Sequence, residues 1–323
     1  MYGIHNKWTE WMLHVKWFTD DYDWNPQPFS KVITPTFWFW LVFTMFALFL
    51  VTIGQQWMER FSIVRSVHDS LNKFKRYKLT VLRVGIGIGL SLQLFTGTYL
   101  APKMVSNEWW VYAVLVVAIL ALFHRRLLPV SGAALAVLYI KAILSYGLFL
   151  SLDYAFYPGI IYVLFVSDRP WNRSALPVLY VWMGISLAWV AMEKLTIAKL
   201  ACSLMHQYGI PTLGFTVEDF VLISAFIEMG LAWAFMVGLM NRFSALLLSS
   251  VFMLTTSVFG FTEIVGHTIV HTLLLIFIIM GREEPSLPTR IHRSMVLRCL
   301  FVTVNFGIMI FGLMAAYIWM GHI

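Results

Sequence analysis

Charge is what this chain has least of. Asp, Glu, Lys and Arg make up 12% of its 323 residues while 60% are hydrophobic, and the mean hydropathy is +0.77. That composition excludes an ordinary soluble domain and indicates an all-α, polytopic membrane bundle with the lipid bilayer as its main partner. Cysteine is also scarce. Two residues, Cys202 and Cys299, cannot build a disulfide framework, and the topology expected below puts them on opposite sides of the membrane. No Walker, Rossmann, Ser-His-Asp or zinc-ribbon pattern occurs. The run Gly85-x-Gly87-x-Gly89 falls inside an apolar segment, where small residues let helices approach closely rather than cradle a phosphate. No cleavable signal peptide is expected, because the first apolar run begins only at residue 35, after several acids.

What the chain does have is a succession of apolar runs. Ten are expected to cross the membrane: 35–54, 79–100, 108–124, 129–150, 154–167, 175–197, 216–239, 242–260, 262–281 and 295–319. The cations explain themselves by position. With the N-terminus outside, the inside loops collect Arg60, Arg65, Lys73, Lys75, Arg76, Lys78, Arg125, Arg126, Arg169, Arg173, Arg242, Arg282, Arg290 and Arg293. The outside keeps Lys7, Lys16, Lys31, Lys103 and Lys199, with Lys194 at its edge. This asymmetry favours an even number of spans in a cytoplasmic (inner) membrane with both termini outside, and it removes nucleic acid as the reason for a pI of about 9.4.

The middle of the chain looks duplicated. Val81-Leu82-Arg83-Val84 can be laid on Val178-Leu179-Tyr180-Val181, Glu108-Trp109-Trp110 on Glu218-Asp219-Phe220, and Asp153 on Glu263. Two parallel four-helix units follow, 79–174 and 175–284. Around them lie an outer interfacial segment 1–34 with Trp8, Trp11, Met12, Val15 and Phe18 at helical spacing, a first span with a basic inside loop 35–78, and a last loop and span 285–323. The basic stretch Arg60 to Lys78 suits a short inside helix against anionic headgroups. Apart from Asp153 and Lys141 in the first unit, the intramembrane polar residues do not survive the comparison of the two units. Tyr157 stands where the second has His267, Ile161 where it has His271, Ala118 where it has Glu228, and Thr96 or Gly97 where it has Glu193. Chemistry is therefore expected in the second unit.

There, Glu263-x-x-x-His267-x-x-x-His271 puts three ionisable groups on one helix face within about 12 Å of axial rise. Such groups at membrane depth cost about 2.5–3.5 kcal/mol each on insertion scales unless they find partners. Glu193 and Lys194 end the preceding outward helix, and Glu228 sits midway along the helix that returns. Three readings stay open. Glu228, Glu263, His267 and His271 could bind a transition metal such as iron, copper, zinc or manganese, as carboxylate-rich bundle sites do. The same groups could form a proton relay, with Glu193, Lys194 and Glu228 as catalytic or tuning residues. Or they could pair simply to hold helices together. A b-type haem is not expected, because the remaining histidines fall in loops or termini. Outside the membrane, Cys202, Met205 and His206 are soft groups that suit either copper or packing.

The second unit resembles the DoxX-like family of four-helix membrane proteins. The likeness rests on Gly184 through Leu195, on Gly209-Ile210-Pro211, and on Glu228-Met-Gly-Leu followed by Gly238-Leu-Met-Asn-Arg242-Phe-Ser-Ala-Leu-Leu-Leu. It covers about a third of the chain directly and departs from the usual form by the duplication and the two extra helices. The resemblance implies a quinone-linked or redox-assembly setting with a periplasmic redox partner. Together these readings lead to an expected membrane redox protein whose site opens to the periplasmic side. The alternative is a non-enzymatic metal or solute transporter, or a factor that matures a periplasmic redox protein.

Overall fold

The computed structural model describes residues 25–58, 60–167, 170–281, 291 and 293–322; the expected outer helix around Trp8 to Phe18 lies outside them. Among the described residues the chain is helical and forms no β-strand. A short α1 (Phe29–Val32) leads into α2 (Pro35–Met58), an amphipathic α3 (Ser62–Asn72), α4 (Lys78–Phe95), α5 (Trp109–Ala121), α6 (Leu128–Ser151) and α7 (Phe156–Val166). There follow α8 (Ala175–Thr196), a short α9 (Ala198–Tyr208), α10 (Val217–Val237), α11 (Asn241–Phe259), α12 (Phe261–Met280) and α13 (Met295–Gly321).

Eight of the described helices are long and apolar enough to cross a membrane, and α5 and α7 are shorter apolar ones. Each of the ten apolar segments thus lies on a helix. Segment 79–100 ends as a helix at Phe95, earlier than its hydropathy suggests. Gly97 takes φ +69°, and the Thr98 hydroxyl bonds back to the Gln93 carbonyl, 3.2 Å away. The residues beyond, Tyr99 to Ala101, fold as a buried loop, so burial within the protein accounts for their apolar character.

Helix ends follow local chemistry. Thr216 caps α10 by accepting from the Asp219 amide at 3.1 Å, with Glu218 and Asp219 in the first turn where the helix dipole favours anions. Two arginines satisfy orphan carbonyls at the opposite pole of other helices. Arg83 donates to the Leu122 and Phe123 carbonyls beyond α5, and Arg242 donates to those of Ile278 and Ile279 at the end of α12, both at 2.9 Å.

Packing closes the bundle in a particular order. Within the first group α4, α5, α6 and α7 follow one another, and within the second α8, α10, α11 and α12 do so. Between groups, α7 packs along α8 and α12 along α4, so the last helix of each lies on the first helix of the other. Glycine sets the closest of these approaches. A Cβ on Gly85 would stand 2.2 Å from the Thr272 side chain and one on Gly89 2.4 Å from Ile269, which is why α4 and α12 need bare backbone there. On the other junction a Cβ on Gly159 would meet Trp182 at 3.0 Å. Gly184 does the same for α8 on α10, facing Met236 at 2.5 Å. Helix α13 packs on α2 and α8, and Trp233 ties α10 to it through the Val302 carbonyl at 2.9 Å.

Candidate functional site

Helices α11 and α12 are joined by Gly260 alone, which takes φ +73° and ψ −145°, a conformation that only glycine adopts comfortably. The turn is as short as a helical hairpin allows, so Glu263 falls in the first turn of α12, where unsatisfied amides and the positive end of the helix dipole favour a carboxylate. Glu263 is nevertheless withdrawn from solvent, 2% exposed, and His267 one turn on is 4% exposed. The two face each other as an ion pair between His267 Nδ1 and Glu263 Oε2.

Helix α11 supplies the other wall. Phe252 lies flat on the His267 imidazole, with ring centroids 4.6 Å apart and planes 15° apart, and meets His271 edge-on at 6.1 Å. Ser249, one turn before Phe252, places its hydroxyl 3.2 Å from His271 Nδ1. With Nδ1 occupied, His271 turns Nε2 to the interior, where that atom is buried with no hydrogen-bond partner among the described residues. An imidazole held at one nitrogen and open at the other is oriented for proton exchange or ligand binding.

The remaining candidates gather elsewhere. Lys194, near the end of α8, forms an ion pair with Glu228 of α10, both side chains largely buried. The close packing at Gly184 brings the two helices near enough for that pair. Glu193 beside it is buried. Glu228 is thus turned toward α8 and Lys194, not toward the stripe on α12. Among the described residues no three His, Cys, Asp or Glu side chains form a group able to hold a metal ion, so the ligand set Glu228, Glu263, His267 and His271 is not assembled there. Cys202 and Met205 pack with Ala201 and Val221 in a small core between α9 and α10, while His206 is exposed. Burial, with Glu218 adding to it, pushes the Cys202 thiol up from its usual range. Both cysteines are free.

The first group has a quieter counterpart. Asp153 is buried in the turn between α6 and α7, and its carbonyl accepts from the Ser186 hydroxyl. The Tyr157 hydroxyl accepts from Gln93 at 3.2 Å and donates to the Leu100 carbonyl at 2.8 Å. Lys141, the group's other conspicuous charge, pairs with Glu108 at 2.8 Å.

Ser249, Phe252 and Gln93 were not among the candidates legible in the sequence. A hydroxyl in an apolar helix usually bonds its own preceding carbonyl, as Ser250 does to Leu246, so nothing in the sequence sets Ser249 apart. No protein-family model, curated protein or solved structure matches the chain.

Proposed function

We propose that the chain is a ten-span cytoplasmic-membrane redox protein with both termini outside. In this reading Glu263, His267 and His271 form a proton-active site reached from the outer side, and a lipid-soluble quinone is its membrane-phase partner. The observation that carries the reading is the buried Glu263–His267 pair continued by His271, whose Nδ1 is held by Ser249 and whose Nε2 is unengaged. Structural glue alone would not leave a buried imidazole nitrogen without a partner.

The chemistry follows from charge balance. Two-electron reduction of a quinone needs two protons, and lipid supplies none. His271 Nε2 would bond a quinone oxygen and pass it one proton and, once reprotonated from the outer side, the second. His267 would exchange protons through Nδ1, and the Glu263 carboxylate would offset the imidazolium charge while it lasts. Electrons would come from, or go to, a periplasmic redox partner. Since the residues present do not fit a four-ligand metal site, no step is routed through a metal. Of the eight long helices α12 is the most buried and α11 the least, so a single helix separates the site from lipid, which favours a partner that arrives through the bilayer. The parallel arrangement, in which α7 lies on α8 as α12 lies on α4, supports two DoxX-like units of which only the second carries the acid–imidazole stripe. The resemblance to DoxX-like proteins is the reason a quinone is named rather than another lipid-phase oxidant.

Binding of a short-chain quinone to purified protein, followed by quenching of tryptophan fluorescence, tests this. Saturable binding is expected, weakened about tenfold in His271→Ala through loss of one buried hydrogen bond. Equal binding by wild type and variant, or none by either, would remove the quinone from the account.

A further inference from the structure

At the basic end of the bundle, apolar exposure and charge occur together on one element.

Helix α3 has no buried residue. Its apolar arc has two halves. Val64 and Leu71 are partly covered, whereas Ile63 is 77% and Val67 51% exposed, and the flanking Trp57, Phe61, Phe74 and Tyr77 are exposed as well. Between and beside these stand Arg60, Arg65, Lys73 and Arg76, all exposed. From residue 60 to 78 there are six cations and one acid, Asp69. A water-facing helix would not show such a row of large apolar side chains, and a core helix would not carry such charge.

The helix is also held in place. Arg242, while capping α12, bonds Asn72 Oδ1 at 2.8 Å and reaches the His68 carbonyl at 3.5 Å. On either side the chain passes into long apolar helices, α2 ending at Met58 and α4 beginning at Lys78. Helix α3 is therefore fixed at the end of the bundle where α2 stops and α4 starts.

We propose that α3 is an interfacial anchor that binds anionic phospholipid. Ile63, Val67 and Phe74 enter the headgroup–acyl boundary, aromatic Trp57 and Tyr77 sit at headgroup level, and Arg60, Arg65, Lys73 and Arg76 contact lipid phosphates. The occupant is the bilayer itself, not a soluble acidic protein, because the exposed apolar side chains lie between two membrane-length helices. The proposal does not depend on the redox reading.

The test places an environment-sensitive fluorophore at Ile63→Cys in a Cys202→Ser, Cys299→Ala background. The full chain is reconstituted in nanodiscs of phosphatidylcholine alone or mixed with phosphatidylglycerol. With phosphatidylglycerol present, emission should shift to the blue and be quenched by spin labels on lipid acyl chains but not by aqueous iodide. Phosphatidylglycerol should also be enriched on the order of tenfold over phosphatidylcholine in lipid retained through detergent extraction. The Arg65→Glu, Lys73→Glu, Arg76→Glu variant should lose both effects while keeping its size-exclusion profile, since none of the three joins the Arg242 contacts. Iodide quenching in both lipids would overturn the proposal by showing a surface open to water and to soluble partners. Lipid quenching indifferent to phosphatidylglycerol would overturn it equally.

Discussion

In each four-helix group, the turn into the last helix carries a buried acid followed four residues later by a buried ring: Asp153 then Tyr157 in one, Glu263 then His267 in the other. The two arrangements differ in what the ring does. The Tyr157 hydroxyl is used as acceptor and donor at once, by Gln93 and the Leu100 carbonyl, and so locks α7 to α4 and the loop after it. His267 instead faces a carboxylate and stacks on Phe252, with a second imidazole one turn deeper. One frame thus supports a polar lock in one group and an acid–imidazole pair in the other. The difference lies in the partner of each ring, an amide and a carbonyl for Tyr157 and a carboxylate for His267.

The largest expected effect comes from breaking the more deeply buried of the two groups' Lys–Glu pairs, Lys194–Glu228 in the second. Lys194→Ala would leave the Glu228 carboxylate largely buried and alone, a loss of about 3 kcal/mol, read as a lowered unfolding midpoint in detergent. The double change Lys194→Met, Glu228→Leu should recover most of it. If the single variant is neutral, the pair is not what joins α8 to α10.

The two junctions between groups offer a finer comparison. Gly89→Ala should cost about 2 kcal/mol, because its Cβ would overlap Ile269 at 2.4 Å. Gly159→Ala, meeting Trp182 at 3.0 Å, should cost less, about 1 kcal/mol. Thermal melts of both variants check the order, and a reversed order would mean that α12 can move off α4 more easily than α7 off α8.

Exchanging the rings sharpens the functional contrast. Tyr157→Phe should lower stability by about 1 kcal/mol, from one lost pair of hydrogen bonds, and leave quinone binding unchanged. His267→Tyr should keep the fold yet end proton exchange. The smallest effect belongs to α9, which has no counterpart in the first group. With its pKa raised by burial, the Cys202 thiol is ionised to a smaller extent than an exposed one at the same pH, so maleimide should label it several-fold more slowly. Labelling at the exposed rate would show that α9 leaves its small core.

Much of the frame was legible in the sequence because lipid imposes a simple rule. Each apolar run had to become a helix, and Gly85 and Gly89 announced a close contact by their size. The spacing of Glu263, His267 and His271 placed them on one face without knowledge of any neighbour. Rotation about helix axes was not legible. In a membrane helix every face is apolar, so periodicity does not say which side Glu228 turns to, and its pairing with Lys194 rather than with the α12 stripe appeared only with the packing. The contributions of Ser249 and Phe252 were hidden for the same reason, since they depend on how the Gly260 turn sets α11 against α12.

The most direct measurement is the infrared difference spectrum between quinone-oxidised and quinone-reduced states of the reconstituted protein. The account predicts a carboxyl band change that disappears in Glu263→Gln and persists in Asp153→Asn. A spectrum that is the same in wild type and Glu263→Gln would contradict a proton-active site at the start of α12.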